Sequence, residues 1–589
     1  MSTVWTPAGL AARAVAGTYN VLLTWTVADG ELPEDFLGFS IERRDALGRR
    51  RWLPNFVRFA NDPKAGGEET ASSARAPVQR FRWGDYAAKP ATTYTYRIVP
   101  RRGTAADLLA AADGFEADPA SLEGGIEVVV TTADVDDRAT AIFFNRGAAA
   151  SQAYVKRFGD VDPEKNPAAK VWLSRGLEEA LVDFAGRAKD RNWAIDAAIY
   201  EFQKPEMIAT LAAAKSRGVA VRAVYHGRRA SAKDHALAKN LAAISAAGVA
   251  FTEPRAAPPQ GAIMHHKFVV LKQRIGKVMT PVAVWTGSTN WTEAAIWGQL
   301  NVGHAVWDAD IAACYARLFE DLVDDRSGQD WEKSVAALTP VPAGVAALKD
   351  GITPIFSPQP SLAMLDLYAE ICRSARVLFV SAPFLLHEKI RAVLASPPEG
   401  ALHFVMLDKP SSFAKDGEIE LINRRFDPQL MAAVATRLDK ALHDFQNHTL
   451  MKAESFHHNG VHIHSKIILA DPFGPDPILV TGSANFSEGS TIENDENSLI
   501  FRGDRAVSAI YATEFARMFE HYWFRWNQKV WVKQHGAGTM PVLAESHAWA
   551  SEYMTPGTQK YGDRSAFAGP GQTRAERAAR LAALGAAGT

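Results

Sequence analysis

The chain has 589 residues, enough for about three or four domain-sized units with hydrophobic cores. Its composition, 47% hydrophobic and 22% charged residues, is ordinary for a folded protein, and its net charge of −1 excludes an overall basic field for nucleic acid. The two cysteines, Cys314 and Cys372, exclude a disulfide framework and suit a reducing compartment. No apolar run approaches the roughly 18–20 residues that span a bilayer, and the N-terminus has no signal-peptide pattern. We therefore expect a cytoplasmic protein, with non-classical export left open.

Residues 1–135 are predicted to form a small β domain. Alternating or β-branched stretches separated by turn-rich segments occur at 21–25, 39–43, 93–98 and 126–130. Trp25 on an early strand, with Tyr94 and Tyr96 on a late one, is similar to the pattern of fibronectin type III sandwiches. We expect this domain to position the rest of the chain or to contact a protein or membrane. Residues 134–137 are the expected linker.

After the linker, strands and helices alternate in two similar series, at 140–345 and 350–535. The first series is predicted as helix 177–188, strand 193–200, helix 205–217, strand 219–225 and helix 236–247. The second is predicted as helix 362–374, strand 377–381, helix 388–394, strand 402–407 and helix 428–447. The repetition predicts two similar α-β-α lobes with one active site at their interface. Residues 536–589 are expected to be a partly flexible extension, with a short helix near 573–584.

Each series ends in the same set of polar residues. The first set is His265, Lys267, Gly287, Ser288 and Asn290, and the second is His464, Lys466, Asp471, Gly482, Ser483 and Asn485. Histidine and lysine two positions apart share one face of a strand, and the asparagine ends a Gly-Ser turn. Eleven residues past each asparagine lies a side chain that can hydrogen-bond an imidazole, Asn301 in the first set and Glu496 in the second. Two imidazoles, two lysines and two asparagines are what cleavage of a phosphodiester requires.

These sets resemble the phospholipase D superfamily, whose signature is H-x-K-x4-D followed by G-S-x-N, usually in two copies. The second copy matches fully, whereas the first has Lys272 where the signature has aspartate. The tyrosyl-DNA phosphodiesterase branch also lacks that aspartate, which in the family is mostly structural. The resemblance covers roughly residues 140–535. Lys272 is expected to point to solvent, because five residues past Lys267 reverses the strand face.

The resemblance implies a two-step hydrolysis that needs no metal and no cofactor. One histidine forms a phosphohistidine while the other protonates the leaving group and then activates water. The lysines and asparagines of both sets would stabilise the phosphoryl oxygens, while Ser288, Ser483 and Asp471 give structural support.

The residues Asn301 and Glu496 suggest which histidine attacks. If Glu496 reaches His464, its carboxylate favours the protonated state that an acid needs, while Asn301 leaves His265 neutral. The tyrosyl-DNA phosphodiesterase branch has the same order of amide and glutamate, and there the first histidine is the nucleophile. We therefore expect His265 to be the nucleophile and His464 the acid and then the base.

Three alternatives stay open for the substrate: a nuclease, which we favour, a phospholipase D acting on lipid head groups, and a catalytically weak binding protein. For a nuclease, the local basic candidates are Arg228 with Arg229 and the group Arg43, Arg44, Arg49, Arg50 and Arg51. A metal site among the histidines of 457–464 is a competing interpretation, although it leaves the first set unexplained. The sequence does not indicate an oligomeric state.

Overall fold

A computed structural model describes residues 6–62, 70–110, 124–135, 139–147, 151–159, 161–228, 231, 235–259, 261–413, 428–435, 442–443, 449–451, 461–535 and 542–587. Side chains of 442–443, 449–451, 528–535 and 587 lie outside this description. The second half of the predicted linker, Asp136 and Asp137, also lies outside it. Within the described residues, no helix combines the length and apolar character needed to cross a membrane.

The N-terminal region is a small β-sandwich. Its strands are β1 Ala11–Ala16, β2 Val21–Thr26, β3 Phe36–Asp45, β4 Arg50–Trp52, β5 Pro54–Asn55, β6 Ala71–Ser72, β7 Arg82–Asp85, β8 Thr93–Arg102 and β9 Ile126–Thr131, with one short helix at Ala105–Ala110. A three-stranded sheet, β1-β2-β7, packs on a four-stranded sheet, β4-β3-β8-β9. Trp25 is fully buried between them, edge-on to Phe39 at 5.3 Å. The four predicted strands are all present, while the likeness to fibronectin type III domains stays a prediction.

The first lobe is a seven-stranded sheet covered by helices. Its strands are β10 Thr140–Phe144, β11 Trp193–Ile199, β12 Ala220–His226, β13 Thr252–Arg255, β14 Lys267–Ile275, β15 Val278–Gly287 and β16 Val302–Val306. Its helices are Gln152–Phe158, Pro167–Ser174, Leu177–Gly186, Pro205–Ser216, Ala236–Ala247, Glu293–Trp297, Ala309–Val323 and Gly328–Leu338, with a 3-10 turn at Pro163–Lys165. Local signals set several boundaries: Pro205 begins one helix, the Asp308 side chain caps another, and left-handed Gly248 ends a third.

The second lobe repeats this plan. Its strands are β17 Gly351–Ser357, β18 Val377–Ala382, β19 Leu402–Leu407, β20 Leu430–Val434, β21 Leu442–His443, β22 Thr449–Met451, β23 Ile467–Ala470, β24 Ile478–Gly482 and β25 Glu496–Arg502. Its helices are Ala363–Ser374, Glu388–Ala395, Glu488–Ile492 and Arg505–His535, with 3-10 turns at Val345–Ala347 and Pro410–Ser412.

The two seven-stranded sheets have the same topology. The first runs β10-β16-β15-β14-β11-β12-β13 and the second β17-β25-β24-β23-β18-β19-β20. In both, the motif strand, β14 or β23, is antiparallel to β11 or β18, and the next two strands are parallel. The internal duplication predicted from the sequence is confirmed at the level of strand order and direction.

One predicted element is wrong. The expected helix over 428–447 is replaced, where the chain is described, by the buried strand β20 and the short strand β21, which pairs with β22 just beyond this range. Strand β20 pairs in parallel with β19, as β13 does with β12 in the first lobe. Its residues Leu-Met-Ala-Ala-Val have good helix propensity, but completing the sheet edge buries all five of them.

The lobes share one hydrophobic core, which draws residues from both sheets, among them Phe268, Val284, Phe356, Phe379 and Leu499. Two isolated parallel bridges also join the lobes, Met264 with Asp495 and Leu300 with Ile463. Each bridge lies next to a motif histidine and next to Asn301 or Glu496. The lobe interface therefore places both motifs at one location.

The C-terminal extension packs against the rest of the chain. Its helices are Ser551–Met554, Gln559–Ala568 and Arg574–Ala587, after a 3-10 turn at His547–Ala550. Trp549 and Tyr553 pack on the aromatic core of the sandwich, and Arg577 is fully buried against the second lobe. The expected partly flexible tail is thus, over 542–587, a packed segment that joins the sandwich to the second lobe.

Candidate active site

The two motif histidines face each other at the lobe interface. His265 precedes β14 and His464 precedes β23, and their ring centroids are 6.5 Å apart at an interplanar angle of 73°. Each histidine is 5% exposed. The structure therefore joins the two distant sets of residues into one recessed site.

Main-chain hydrogen bonds across the interface fix the histidines. The His265 amide donates to the carbonyl of Asp495 (2.8 Å), and the His464 amide donates to the carbonyl of Leu300 (3.1 Å). Asp495 directly precedes Glu496, and Leu300 directly precedes Asn301. Each motif histidine therefore lies close to Glu496 or Asn301 of the other lobe. The arrangement has the approximate twofold character expected of a duplicated chain.

The imidazole partners consequently cross between lobes. His265 Nδ1 contacts Glu496 Oε2 at 2.7 Å, and His464 Nδ1 contacts Asn301 Oδ1 at 2.9 Å. The expected pairing of Glu496 with His464 and of Asn301 with His265 is therefore wrong. In the neutral rings both contacts place the proton on Nδ1 and leave the lone pair on Nε2.

Both motif lysines lie beside the imidazoles. Lys267 Nζ donates to the His265 carbonyl (2.5 Å) and Lys466 Nζ to the His464 carbonyl (2.8 Å), and Lys466 Nζ also lies 3.2 Å from His464 Nε2. Burial lowers the pKa of Lys466 to about 7, and burial together with Lys466 lowers the pKa of Lys267 well below its usual value. An anion bound between them would favour their charged forms.

The same environment acts on the other titratable groups. Burial first, and then the two lysines, lower the pKa values of His265 and His464 well below the usual histidine range. Burial raises the pKa of Glu496 to about 7, and Lys267 opposes that rise. The buried site therefore disfavours the charged forms of both histidines, both lysines and Glu496.

The Gly-Ser turns bring the asparagines to the same place. A Cβ on Gly287 would lie 2.2 Å from the carbonyl oxygen of Val302, and one on Gly482 2.3 Å from that of Asn497, so only glycine fits. Asn290 Nδ2 donates to Glu201 Oε2 (2.5 Å), while Asn485 Oδ1 has no hydrogen-bond partner among the described residues.

The serines and Asp471 form hydrogen bonds within the scaffold of the site, and Asp471 lies at the far end of β23. Ser288 Oγ donates to Asn301 Oδ1 (2.8 Å), and Ser483 Oγ accepts from the Asn497 amide (3.0 Å). Asp471 accepts from the amides of Arg376 (2.9 Å) and Val377 (3.0 Å). These contacts position the turns and the start of β18.

Lys272 was expected from its strand face to point to solvent, but it does not point there freely. It forms ion pairs with buried Asp196 and with Glu320 (3.5 Å), and its side chain is only 12% exposed. The ion pairs arise because Asp196 faces it from the neighbouring strand β11, a contact that strand-face parity does not reveal. Five residues along β14 place it about 16 Å from Lys267.

Three further residues line the first-lobe side of the site, and motif analysis missed them. Tyr200 and Glu201 follow β11, and His226 ends β12. The Tyr200 ring lies 5.0 Å from the His265 ring and 5.2 Å from that of His226. Their position at the end of β12 or just after β11 was the only signal available in the sequence.

The five clustered arginines are engaged in ion pairs. On the β3–β4 hairpin and beside it, Arg50 pairs with Glu42 (2.6 Å) and Arg43 with Asp85 (2.8 Å). The remaining three also have acidic partners, namely Arg44 with Glu127, Arg49 with Asp45 and Arg51 with Asp85. Arg228 donates to the carbonyl of Pro258 (2.7 Å), and Arg229 lies outside the described residues. The expected basic surface on the sandwich is largely neutralised.

The alternative metal site falls mostly outside the described chain, because His457 and His458 are not in it. His462 is described, and its Nδ1 lies 4.0 Å from Asp408. In the part of the chain that the structure describes, no three histidine, cysteine or carboxylate side chains form a metal-binding group.

Comparison with known proteins gives one family-model match, in two segments. Residues 182–323 and 412–523 match the family model described as "Cardiolipin synthase, PLD-like domain". A search of curated proteins gave no match. The two matched segments contain the two motif sets described above.

Solved structures with some similarity include three named proteins. Phosphatidylserine synthase of Haemophilus influenzae is 14% identical, with a TM-score of 0.39 over 59% of this chain and 85% of that one. Nuc of Salmonella typhimurium, a phospholipase D family member, is 24% identical, with a TM-score of 0.20 over 25% and 87%. NucT of Helicobacter pylori is 17% identical, with a TM-score of 0.22 over 29% and 96%. Both motif sets lie within the two segments that match this family model, so residues 182–323 and 412–523 are similar to phospholipase D-like domains.

Proposed function

We propose that the protein hydrolyses a phosphodiester in two steps, without metal, through a phosphohistidine on His265. The observation that carries the proposal is the pair of imidazoles, 6.5 Å apart, each fixed at Nδ1 and flanked by a buried lysine. A phosphoryl group between them would have an imidazole on each side.

In the first step, Nε2 of His265 attacks phosphorus and the bond from phosphorus to the leaving oxygen breaks. Protonated His464 gives its Nε2 proton to that oxygen. In the second step, His464 takes a proton from water, the water oxygen bonds to phosphorus, and the phosphorus–nitrogen bond breaks. The products are an alcohol and a phosphate monoester.

By the criterion applied to the sequence, the crossed partners would make His265 the acid, but the charge that develops during attack gives a different reason to assign His265 as the nucleophile. Attack through Nε2 turns its ring into a positively charged phosphoimidazolium, and the Glu496 carboxylate at Nδ1 stabilises that charge. The Asn301 amide at His464 orients the ring without a full charge, so that ring gives up its proton more readily. Lys267, Lys466, Asn290 and Asn485 would stabilise the remaining phosphoryl oxygens.

Single-stranded nucleic acid is the substrate that we propose. The catalytic pair is recessed, with each histidine 5% exposed, and a flexible strand can enter such a recess more readily than a stiff duplex. Phe384, 46% exposed, follows β18 beside the second-lobe half and offers a ring on which a base could stack. Neutralisation of the sandwich arginines leaves the lysines of the site as the phosphate-binding charges.

A phospholipid head group is the second candidate, and one observation favours it. Phe384 and Leu385 form an exposed apolar pair, 46% and 52% exposed, which would also suit an acyl chain. The third hypothesis, a catalytically weak binding protein, would take Asn301 and Lys272 as the marks of a degenerate first motif set. Asn301 holds a catalytic imidazole, and Lys272 lies far along β14.

The proposal is tested by parallel incubation with single- and double-stranded DNA, RNA and phosphatidylcholine vesicles, with and without EDTA. We expect cleavage of single strands that survives EDTA, and loss of several orders of magnitude in rate for His265→Ala and for His464→Ala. Lys272→Ala is the control and keeps the wild-type rate. Rapid quenching and peptide mapping locate the phosphohistidine.

Three results would contradict parts of the proposal. Near-normal turnover by His464→Ala on every phosphodiester would exclude the mechanism. Release of choline with intact nucleic acid would replace the nuclease by a phospholipase. A phosphorylated peptide containing His464 instead of His265 would reverse the two roles.

A further inference from the structure

Glu201 brings a carboxylate to the phosphoryl-binding groups, although it belongs to neither motif. It lies two residues after β11, and its Oε2 accepts from Asn290 Nδ2 at 2.5 Å. Burial lowers the pKa of Lys267, and Glu496 and Glu201 both oppose that lowering, which places Glu201 within electrostatic reach of this lysine. Glu201 thus contacts one proposed phosphoryl ligand directly and influences a second.

The second lobe has no equivalent carboxylate. In the first lobe, Ile199 of β11 pairs with Lys267. In the second lobe, Ser381 of β18 pairs with Ile467, so the next residue, Ala382, lies opposite Lys466 and corresponds to Ile199. Two residues further on, the equivalent of Glu201 is Phe384. Asn290 Nδ2 donates to Glu201, whereas the Oδ1 atoms of both Asn290 and Asn485 have no hydrogen-bond partner among the described residues. The negative charge is an addition to one half of a duplicated site.

The charges around the proposed phosphoryl position are nearly balanced. When an anion bound between them favours their charged forms, Lys267 and Lys466 supply two positive charges, and the carboxylates of Glu496 and Glu201 oppose them. One protonated histidine then leaves a net charge near +1. A phosphodiester carries one negative charge and matches this balance, whereas a phosphate monoester, with a second pKa of about 6, carries close to two at pH 8.

We propose that Glu201 is a specificity-determining residue that makes the site accept singly charged phosphodiesters and reject doubly charged phosphate monoesters. This inference rests on the proposed function, because hydrolysis turns the first kind of group into the second. Water adds its oxygen to phosphorus, the alcohol leaves, and the new monoester loses a further proton in neutral solution. Repulsion by Glu201 then favours release of the product.

The test compares two ligands that differ by one charge at pH 8, dimethyl phosphate and methyl phosphate, by titration calorimetry. Glu201→Gln keeps an acceptor for Asn290 but removes the charge. We expect it to bind methyl phosphate on the order of tenfold more tightly than the wild type, with a much smaller gain for dimethyl phosphate. Glu201→Asp, which keeps the charge, should retain the wild-type preference.

Glu320→Gln is the matched control, since Glu320 is a half-exposed carboxylate of the same lobe that pairs with Arg222 and Lys272. It should leave both affinities unchanged. An equal change for the two ligands in Glu201→Gln, or loss of the preference in Glu201→Asp, would overturn the proposal. These binding measurements do not require turnover, so failure of every hydrolysis assay would contradict the proposed function and not the charge preference.

Discussion

Glu496 and Asn301 each hold a histidine that belongs to the other half of the chain. The contacts are 2.7 Å from His265 Nδ1 to Glu496 and 2.9 Å from His464 Nδ1 to Asn301. Neither imidazole can keep its tautomer and orientation unless both lobes are folded and joined. At the residue scale, the site is therefore a property of the interface.

Glu496→Gln tests the role of the carboxylate. Burial raises the pKa of Glu496 to about 7, so below about pH 7 it becomes protonated and no longer stabilises the phosphoimidazolium on His265. Wild-type kcat should therefore fall as the pH decreases through about 7. In Glu496→Gln we expect a rate reduced by about 10²–10⁴-fold, with this acid limb absent from the pH profile.

The exposed Glu493, three residues earlier, provides the control. Glu493→Gln should keep both the rate and the acid limb. An unchanged acid limb in Glu496→Gln would show that another group titrates there.

Motif reasoning found the histidines, lysines and asparagines because their spacing is local. It could not find the crossed partners, because the separation of two residues along the sequence does not show which segments meet across an interface. Asn301 and Glu496 were identified as imidazole partners, but each was assigned to the histidine of its own lobe. Glu201 was missed for a similar reason, because its role depends on the contact with Asn290.

At the element scale, strand order was more predictable than individual boundaries. The alternation of buried strands and amphipathic helices is encoded locally, and the elements around β11, β12, β18 and β19 were predicted to within a few residues. The segment 428–447 was not, because helix propensity and sheet completion compete there. Pairing of β20 with β19 is a long-range effect that propensity does not include.

Asp471 joins several of these elements. One carboxylate oxygen accepts from the amides at the start of β18, and the other faces Gln572 (3.1 Å) and Arg577 (3.0 Å) of the C-terminal extension. Asp471 also has a left-handed backbone conformation, with φ of 52°, which aspartate and asparagine tolerate best. Its role in the structure is to fix the second motif strand to β18 and to the extension.

Asp471→Ala should lower the free energy of unfolding by about 3–5 kcal/mol, because it leaves the buried Arg577 without one of its partners. The measurement is urea denaturation, with kcat at low temperature expected to remain unchanged. Asp471→Asn keeps an acceptor for the two amides and tolerates the same backbone, so it should lose less stability. A large loss of kcat in a stably folded Asp471→Ala protein would place this residue in the chemistry instead.

At the scale of the whole molecule, the C-terminal extension connects the two ends of the chain. Arg82 of β7 pairs with Asp563 of the extension (3.1 Å) and with Glu520 of the second lobe (2.6 Å). Arg564 pairs with Asp29, and the aromatic residues Trp549 and Tyr553 pack into the sandwich. The sequence suggested a separate accessory domain and a tail, because contacts between residues more than 400 positions apart leave no local pattern.

Arg82→Ala should uncouple the sandwich from the catalytic lobes. Arg82 is 7% exposed and lies over the Phe567 ring at 4.7 Å, so its removal leaves two carboxylates beside an apolar surface without their cation. The cost of breaking such a buried pair is about 3–5 kcal/mol. We expect scanning calorimetry to show an early transition for the sandwich before the unfolding of the lobes, in place of one cooperative transition.

Arg49→Ala, at an exposed pair with Asp45, is the control and should leave the thermogram unchanged. If Arg82→Ala unfolded in one transition at the wild-type temperature, the ion pairs of Arg82 would not be what couples the sandwich to the lobes, and other contacts, such as Arg564 with Asp29 and the packing of Trp549 and Tyr553, would do so.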